Sequence, residues 1–420
     1  MQLRNFVFIL SLLLIYTLPG EVCAQLDWEL YDNNPVYDGS QDNEPYEIYH
    51  PFVLPGDPYR MWYTRKISDG DYQNIGYATS PDGLEWTLVN TAVLNPTDVP
   101  ERFDSDEVGQ GSVLWDEGVF KIWYWGDGPH IGNIGYATSS DGVSWTRVDG
   151  IGVGYSVYDR DMDGAGALAL VSPCVVRIGD DYHMWYSRAL DEGGLVYRIA
   201  YAISPDGISW TNVPGPATGG AVLEAGAAGN FDEAMVFFPI VTVTGNEFQM
   251  WYSGWDSVYE VRTGYATSSD GINWTRVPGN GTGDACLDEG STGSVIRSGD
   301  YYRYWFSSDD TEISLATSGE PEGIGVGDDL LIPRQIELEQ NYPNPFNPTT
   351  QIEFTISHPN EVLLSVYNIM GQHFEVLARG YYSAGVHQVQ FEGSKLTSGV
   401  YVYRLAVGEY VSTRKMLLIR

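Results

Sequence analysis

The sequence predicts an all-β chain, a five-bladed β-propeller whose last blade is closed by an N-terminal strand, followed by a C-terminal Ig-like β-sandwich. Two patterns that return together predict the first part. Tyr59-Arg60-Met61-Trp62-Tyr63 is followed by Ile75-Gly76-Tyr77-Ala78-Thr79-Ser80-Pro81-Asp82-Gly83-Leu84-Glu85-Trp86, and the pair recurs at 120–124 with 134–145, at 182–186 with 199–210 and at 248–252 with 263–274. A fifth copy, 302–306 with 313–318, lacks the closing tryptophan. Trp86, Trp145, Trp210 and Trp274 stand 59, 65 and 64 residues apart, a period too short for tandem sandwich domains of about 100 residues. The missing copy sits at the other end, where Trp28-Glu29-Leu30 then Pro35-Val36-Tyr37 repeats the sense of Trp86-Thr87-Leu88 then Ala92-Val93-Leu94. A ring of sheets that borrows its last edge from the first residues leaves no long unpaired strand.

Taken in order, residues 1–24 read as an export signal, with Arg4, an apolar run over 6–18 and the small-residue end Val22-Cys23-Ala24. Residues 25–318 form the propeller. Val, Ile, Tyr, Trp and Thr alternate with polar residues and each run ends in Gly, Asp or Pro, so each unit reads as four antiparallel strands, in unit four 237–243, 248–253, 263–268 and 272–277. The repeated Ser-x-Asp-Gly-x-x-Trp is structural, because Asp-Gly is a preferred hairpin turn and a ring needs a turn in every blade. Trp62, Trp123, Trp185, Trp251 and Trp305 are expected between blades. No later stretch approaches the ~18 apolar residues of a membrane span, and the net charge of −34 excludes nucleic acid as a partner. Of the mature cysteines, Cys174 and Cys286, spacing leaves open a disulfide or two buried thiols.

After Ser318 the composition changes. Residues 319–335, rich in Gly, Pro and acids, read as a linker, and 336–420 as a small sandwich with strands around 352–356, 362–367, 388–391 and 400–405. Asn341-Tyr342-Pro343-Asn344-Pro345-Phe346-Asn347-Pro348, Val366-Tyr367-Asn368 with Gly371-Gln372, Ser398-Gly399-Val400-Tyr401 and the basic, aliphatic end Arg414-Lys415-Met416-Leu417-Leu418-Ile419 resemble the C-terminal sorting domain of type IX secretion cargo. The resemblance implies the type IX machinery as a partner and a secreted or cell-surface location.

Function is expected where the copies differ, on the face where first strands begin and second strands hand over to third. Glu44, Glu47, Tyr49 and His50 precede or open blade one, Asp104, Asp106 and Glu107 blade two, Asp232 and Glu233 blade four, Asp288 and Glu289 blade five. The loops after second strands add Trp125, Asp127, His130, Asp191, Glu192, Trp255 and Asp256. Carboxylates and aromatic rings around one funnel suit glycosidic chemistry, in which one acid protonates the leaving oxygen and another activates water or attacks. Glu47, Asp104, Glu107 and Glu233 are the catalytic candidates, and His50, Trp125, His130, Trp255 and Asp256 the substrate-binding ones.

Five units with Tyr-x-Met-Trp-Tyr and Ile-Gly-Tyr-Ala-Thr-Ser-x-Asp-Gly-x-x-Trp resemble the propeller glycosidases of glycoside hydrolase families 32, 43, 68 and 130 over residues 25–318. That resemblance implies a carboxylate at three inner-strand positions, which here read His50-Pro51, Gly111-Ser112 and Val171 before Ser172-Pro173. The expected function is therefore a secreted, carbohydrate-active propeller that hydrolyses an extracellular glycan through displaced acids, or, alternatively, binds glycan or a surface without cleaving. No cofactor is required and a monomer is expected. Asp159-Arg160-Asp161-Met162-Asp163-Gly164 has the alternate carboxylates and Gly turn of a calcium loop, with Asp159, Asp161 and Asp163 as ligands of a structural ion.

Overall fold

The computed structural model describes residues 27–40, 46–67, 72–244, 247–298, 301–309, 311–319, 336–356, 360–369, 371–382, 385–394, 396–407 and 410–419. The predicted export signal 1–24, Glu44 and linker residues 320–335 lie outside them. Sheet I is β2 (Tyr46–Leu54), β3 (Tyr59–Ile67), β4 (Tyr72–Ser80) and β5 (Thr87–Leu94), and sheet II is β6 (Glu107–Asp116), β7 (Val119–Asp127), β8 (Asn133–Ser139) and β9 (Thr146–Val148). A single turn, α1 (Arg160–Asp163), leads into sheet III, β10 (Ala169–Ile178), β11 (Asp181–Asp191), β12 (Leu195–Ser204) and β13 (Thr211–Asn212). Sheet IV is β14 (Met235–Thr244), β15 (Glu247–Trp255), β16 (Val261–Ser268) and β17 (Thr275–Arg276). Sheet V is β18 (Ser291–Ser298), β19 (Tyr301–Asp309) and β20 (Glu312–Ser318), with β1 (Trp28–Leu30) as its outer strand.

β1 pairs antiparallel with β20, Trp28 opposite Ser318 and Leu30 opposite Ala316. Beyond β1 the Asn34 side chain continues the pairing, donating to the Leu315 carbonyl at 2.9 Å and accepting from its amide at 2.8 Å. First strands pack in cyclic order, β2 on β6, β6 on β10, β10 on β14, β14 on β18 and β18 back on β2. Ser294 in β18 donates to the Val53 carbonyl of β2, as Ser112 in β6 accepts from the Val175 amide of β10 at 2.9 Å. Cys174 makes the same contact from β10 to β14, accepting from the Val241 amide at 3.2 Å. Cys174 and Cys286 are both free thiols, and burial pushes each up to about 12.

Each central strand lies between two neighbouring sheets, so both its faces are buried and the expected alternation gives way to an unbroken run, as over residues 184–190 of β11. The repeated tryptophans lock sheet to sheet. Trp62, Trp123, Trp185 and Trp305 donate from Nε1 to the carbonyls of Gly142, Gly207, Gly271 and Gly83 in the next sheet at 2.7–2.9 Å. Each of those carbonyls also takes the closing tryptophan of its own turn, Trp145, Trp210, Trp274 or Trp86, which uses both of its lone pairs.

The C-terminal part holds two sheets, β22 (Thr349–Ile356) between β21 (Glu337–Leu338) and β25 (Gly385–Glu392), and the order β24 (His373–Tyr382), β23 (Asn360–Asn368), β26 (Gly399–Val407), β27 (Tyr410–Leu418). Phe354, Leu364, Tyr403 and Met416 share one core between them. The Asn/Pro-rich opening clamps the last strand. Asn344 Oδ1 accepts from the Leu417 amide at 2.9 Å, and Phe346 bonds Leu417 and Ile419 through its backbone.

Candidate active site

The first strand of every sheet breaks register at the same point, between Tyr49 and Phe52, Gly109 and Gly111, Val171 and Cys174, Phe237 and Ile240, and Ser291 and Ser294. The residues at the break are His50, Gln110, Ser172, Phe238 and Thr292, each followed by Pro or Gly. The inner positions of sheets II and III are therefore Gln110 and Ser172, one residue away from the Gly111 and Val171 that the family resemblance singles out, and none of the five is a carboxylate. His50, Ser172 and Phe238 have φ of 51°, 57° and 54°, a left-handed conformation costly for residues with a Cβ and concentrated at functional sites. Neighbouring sheets hold two of them: the His50 amide donates to Ser307 Oγ at 2.9 Å and that of Phe238 to Ser187 Oγ at 2.8 Å.

His50 and Phe238 come from sheets I and IV, which are not neighbours in the cycle, yet their rings meet edge to face at 4.3 Å. A belt of rings extends from this contact to Tyr49 at 4.8 Å on one side, and through Phe237 at 4.7 Å to Tyr197 at 6.1 Å and Trp255 at 5.4 Å on the other. Burial pushes the His50 imidazole down to about 3, so it is neutral. Its Nδ1 is shielded from solvent without a hydrogen-bond partner among the described residues. The indole nitrogen of Trp255 is likewise buried and unpartnered.

The carboxylates divide into two kinds. Asp104, predicted as a catalytic acid, is fully buried away from any mouth: Tyr124 donates to it at 2.7 Å, Arg147 at 2.6 Å and Arg102 at 3.2 Å. Asp232, with Tyr252 at 3.0 Å and Arg276 at 2.8 Å, repeats this in sheet IV. These are buttresses between connection and sheet, their carboxylates taken up by tyrosine and arginine donors inside the fold. Glu233 is half-buried, but Ser257, followed by the Gly229 amide, holds it below the usual carboxylate range, so it stays ionised and is unsuited to donate. Asp256 is also held low: burial opposes, and the Glu260 amide, Arg262 and the Val258 amide outweigh it. It orders its own loop instead of facing a ligand. Glu47 is half-buried beside Lys66 at 3.9 Å.

Sheet II gives a different picture. Glu107 opens β6 directly opposite Asp127, the last residue of β7, and opposed residues of an antiparallel pair put their side chains on one face. Burial, and then the neighbouring Asp106, raise the Asp127 carboxyl above its ordinary value. Trp125, two residues earlier and half-buried, lies opposite Gly109, and a Cβ on that glycine would stand 3.1 Å from the indole nitrogen. His130 is half-buried in the following loop beside Gly154. Asp127 carries no repeat signature, and only the fold shows how its burial and Asp106 combine.

The predicted calcium ligands do not converge. Asp159 caps α1, accepting from the amides of Asp161 and Met162 and, at 2.6 Å, of Val153. Asp163 turns inward to Arg188 at 2.6 Å and to Tyr186, while Asp161 is exposed. The Gly turn therefore ends a capped helical turn, and among the described residues no group of three or more His, Cys, Asp or Glu is placed to hold a metal.

Residues 340–419 match the family described as the secretion system C-terminal sorting domain, which marks the chain for export to the cell surface or extracellular space by type IX secretion. No helix of the described residues is long and apolar enough to cross a membrane. No curated protein matches the chain. Among solved structures, one reported with the statement that the GH130 family of mannoside phosphorylases contains glycoside hydrolases targeting β-1,2-mannosidic linkages in Candida mannan is 17% identical. It has a TM-score of 0.55 and covers 75% of this chain and 99% of its own. A glycosyl hydrolase from Bacteroides ovatus is 17% identical, with TM-score 0.55 and coverage of 73% and 98%. The β-1,2-mannobiose phosphorylase of Listeria innocua, bound to β-1,2-mannobiose, is 14% identical, with TM-score 0.54 and coverage of 69% and 96%. At these identities the likeness is one of fold: the N-terminal sheets are similar to the GH130-type glycoside hydrolase and phosphorylase fold.

Proposed function

We propose that this chain is an exported glycoside hydrolase, a five-bladed propeller that binds an extracellular glycan at the inner mouth of its sheets and cleaves it with carboxylates of sheet II. The observation that carries the reading is Asp127, half-buried, raised by burial and Asp106 and set across from Glu107. A carboxyl whose ionised form is disfavoured by burial and a neighbouring carboxylate is the better placed to give its proton to the leaving oxygen. Glu107 is the second carboxylate, which activates water or attacks the anomeric carbon, and the aromatic belt holds the sugar. The sorting domain explains how the enzyme reaches a glycan outside the cell.

Asp127→Asn keeps size and hydrogen bonding but removes the proton, so it should lower kcat by ~10²–10⁴ while sugar affinity stays within a few-fold. Glu107→Gln should do the same. Unchanged sugar release by both variants sinks the assignment. A second reading, glycan binding without turnover, is favoured by the absence of a carboxylate at all five inner breaks, and wild-type protein that binds but releases no sugar from a broad glycan panel would establish it.

A further inference from the structure

A repeated arrangement of acids and arginines is broken in sheet II. In sheet III Glu192, Arg198 and Glu224 follow one another at steps of 6 and 26 residues, and in sheet IV Asp256, Arg262 and Asp288 repeat both steps. Each arginine bridges its two acids. Arg198 meets Glu192 at 2.7 Å and Glu224 at 3.6 Å, and Arg262 meets Asp256 at 2.8 Å and Asp288 at 3.5 Å. The residue after each arginine pairs antiparallel with the residue before the second acid, Ile199 with Leu223 and Thr263 with Leu287, which sets arginine and acid directly opposite each other. A backbone amide then caps that acid, Thr218 on Glu224 at 3.2 Å and Thr282 on Asp288 at 2.7 Å, on the same oxygen that faces the arginine.

Sheet II keeps this frame. Asp127, Asn133 and Asp159 follow the same steps of 6 and 26 residues, Ile134 pairs with Tyr158, and the Val153 amide donates to Asp159 Oδ2 at 2.6 Å. The arginine alone is missing. Asn133 stands in its place opposite Asp159, only 2% exposed, and its Oδ1 is buried with no hydrogen-bond partner among the described residues. Asp159 is itself buried. Among the described residues neither Asp127 nor Asp159 has an ion pair, and Arg160, the next residue in the chain, is exposed. Shortening arginine to asparagine removes the positive charge from between two acids and leaves an amide oxygen that can only accept.

We infer that this gap is a site for a hard metal cation of the calcium kind, held by Asp127, Asp159 and Asn133 Oδ1, with water completing its shell. Calcium takes its oxygens from carboxylates, amide carbonyls and water, whereas softer metals select sulfur or imidazole. A buried acceptor without a donor and a buried carboxylate without a counter-charge are each costly, and one cation satisfies both. The ligand set is not that of the calcium loop expected in the sequence, since Asp163 turns to Arg188 and Asp161 is exposed. The site lies beyond the glycan reading, and its test needs no sugar. A carboxylate coordinated to a cation has no proton to give, so the bound ion and the acid role of Asp127 exclude each other.

The test is melting and calorimetry of full-length protein stripped with a chelator, in about 0.15 M sodium chloride so that diffuse binding to the acidic surface is screened. Calcium chloride should raise the wild-type melting temperature by a few degrees, as a ligand of the folded state alone does, and sodium chloride of equal ionic strength should not. Asn133→Arg restores the side chain of sheets III and IV. It should melt above the ion-free wild type, lose the calcium shift and bind one calcium ion fewer per chain. Asn133→Leu, which removes the amide oxygen at similar size, serves if the arginine variant does not fold, and its calcium affinity should fall about tenfold or more. The absence of any calcium shift in wild-type protein, which leaves water alone in the gap, overturns the inference. So does a shift that sodium chloride reproduces, or calcium binding that both variants keep in full.

Discussion

Trp251 is the exception among the five tryptophans that lie between sheets. Its counterparts in the other sheets each donate to the glycine carbonyl of the following Asp-Gly turn, but sheet V ends Ser318-Gly319 without that turn, and the Trp251 indole nitrogen is buried with no acceptor among the described residues. Replacing a donor that has a partner costs about 1 kcal/mol or more, whereas removing an unsatisfied one is close to neutral. Both changes shrink a fully buried ring, so Trp123→Phe should lower the melting temperature more than Trp251→Phe does; equal losses in both would contradict the account. A second residue-level expectation concerns Asp127. An acid must be protonated to work, so activity falls as pH rises through its elevated value. Removing the neighbouring charge in Asp106→Asn should move that alkaline limb to lower pH, and a limb that does not move would separate Asp106 from the site.

At the scale of elements, closure depends on a short strand and one side chain. β1 contributes three residues to sheet V, and Asn34 then mimics a strand by bonding both backbone groups of Leu315. Two hydrogen bonds in a partly buried setting together contribute about 1–3 kcal/mol, so Asn34→Ala should reduce stability to chemical denaturation by that order. Unchanged denaturation would mean that closure rests on β1 alone. The displaced Trp28 copy makes this strand legible in the sequence, because five repeated second strands call for five outer ones. The inner breaks were less legible. His50-Pro51, Ser172-Pro173 and Phe238-Pro239 share their proline, but Gln110-Gly111 and Thr292-Gly293 do not, so a register built on the proline alone slips by a residue in sheet II. The acids were the least legible. Asp104 and Asp127 look alike in sequence, and what distinguishes them is whether arginines or another carboxylate lie nearby, which depends on contacts between residues 20 to 43 positions apart.

At the scale of the molecule, the Asp-Gly turns couple stability to pH against the chain's own charge. In each turn the aspartate accepts from the two amides that follow the glycine, as Asp141 does from Val143 at 2.8 Å and Ser144 at 2.7 Å. The Ser144 and Val143 amides hold Asp141 below the usual range, and the Asn273 groups do so for Asp270. In Asp82 and Asp206 burial opposes and the turn amides outweigh it. A carboxyl depressed in the folded state stabilises fully above its unfolded value of ~3.9, and that stabilisation is lost as pH falls through the folded value. The opposing effect is that protonating a chain of net charge −34 relieves self-repulsion and favours the compact state on acidification. Salt separates the two, since at 1 M the screening length is about 3 Å, which removes repulsion between distant charges but leaves a carboxylate bonded to its own turn. In 1 M sodium chloride the melting temperature should hold from pH 7 to about 5 and then fall as pH drops below ~4. Asp141→Asn, which keeps an acceptor that does not titrate, should make that fall shallower. A melting temperature that rises continuously to pH 3 in high salt would show that the turns contribute nothing and that repulsion alone sets the acid limit.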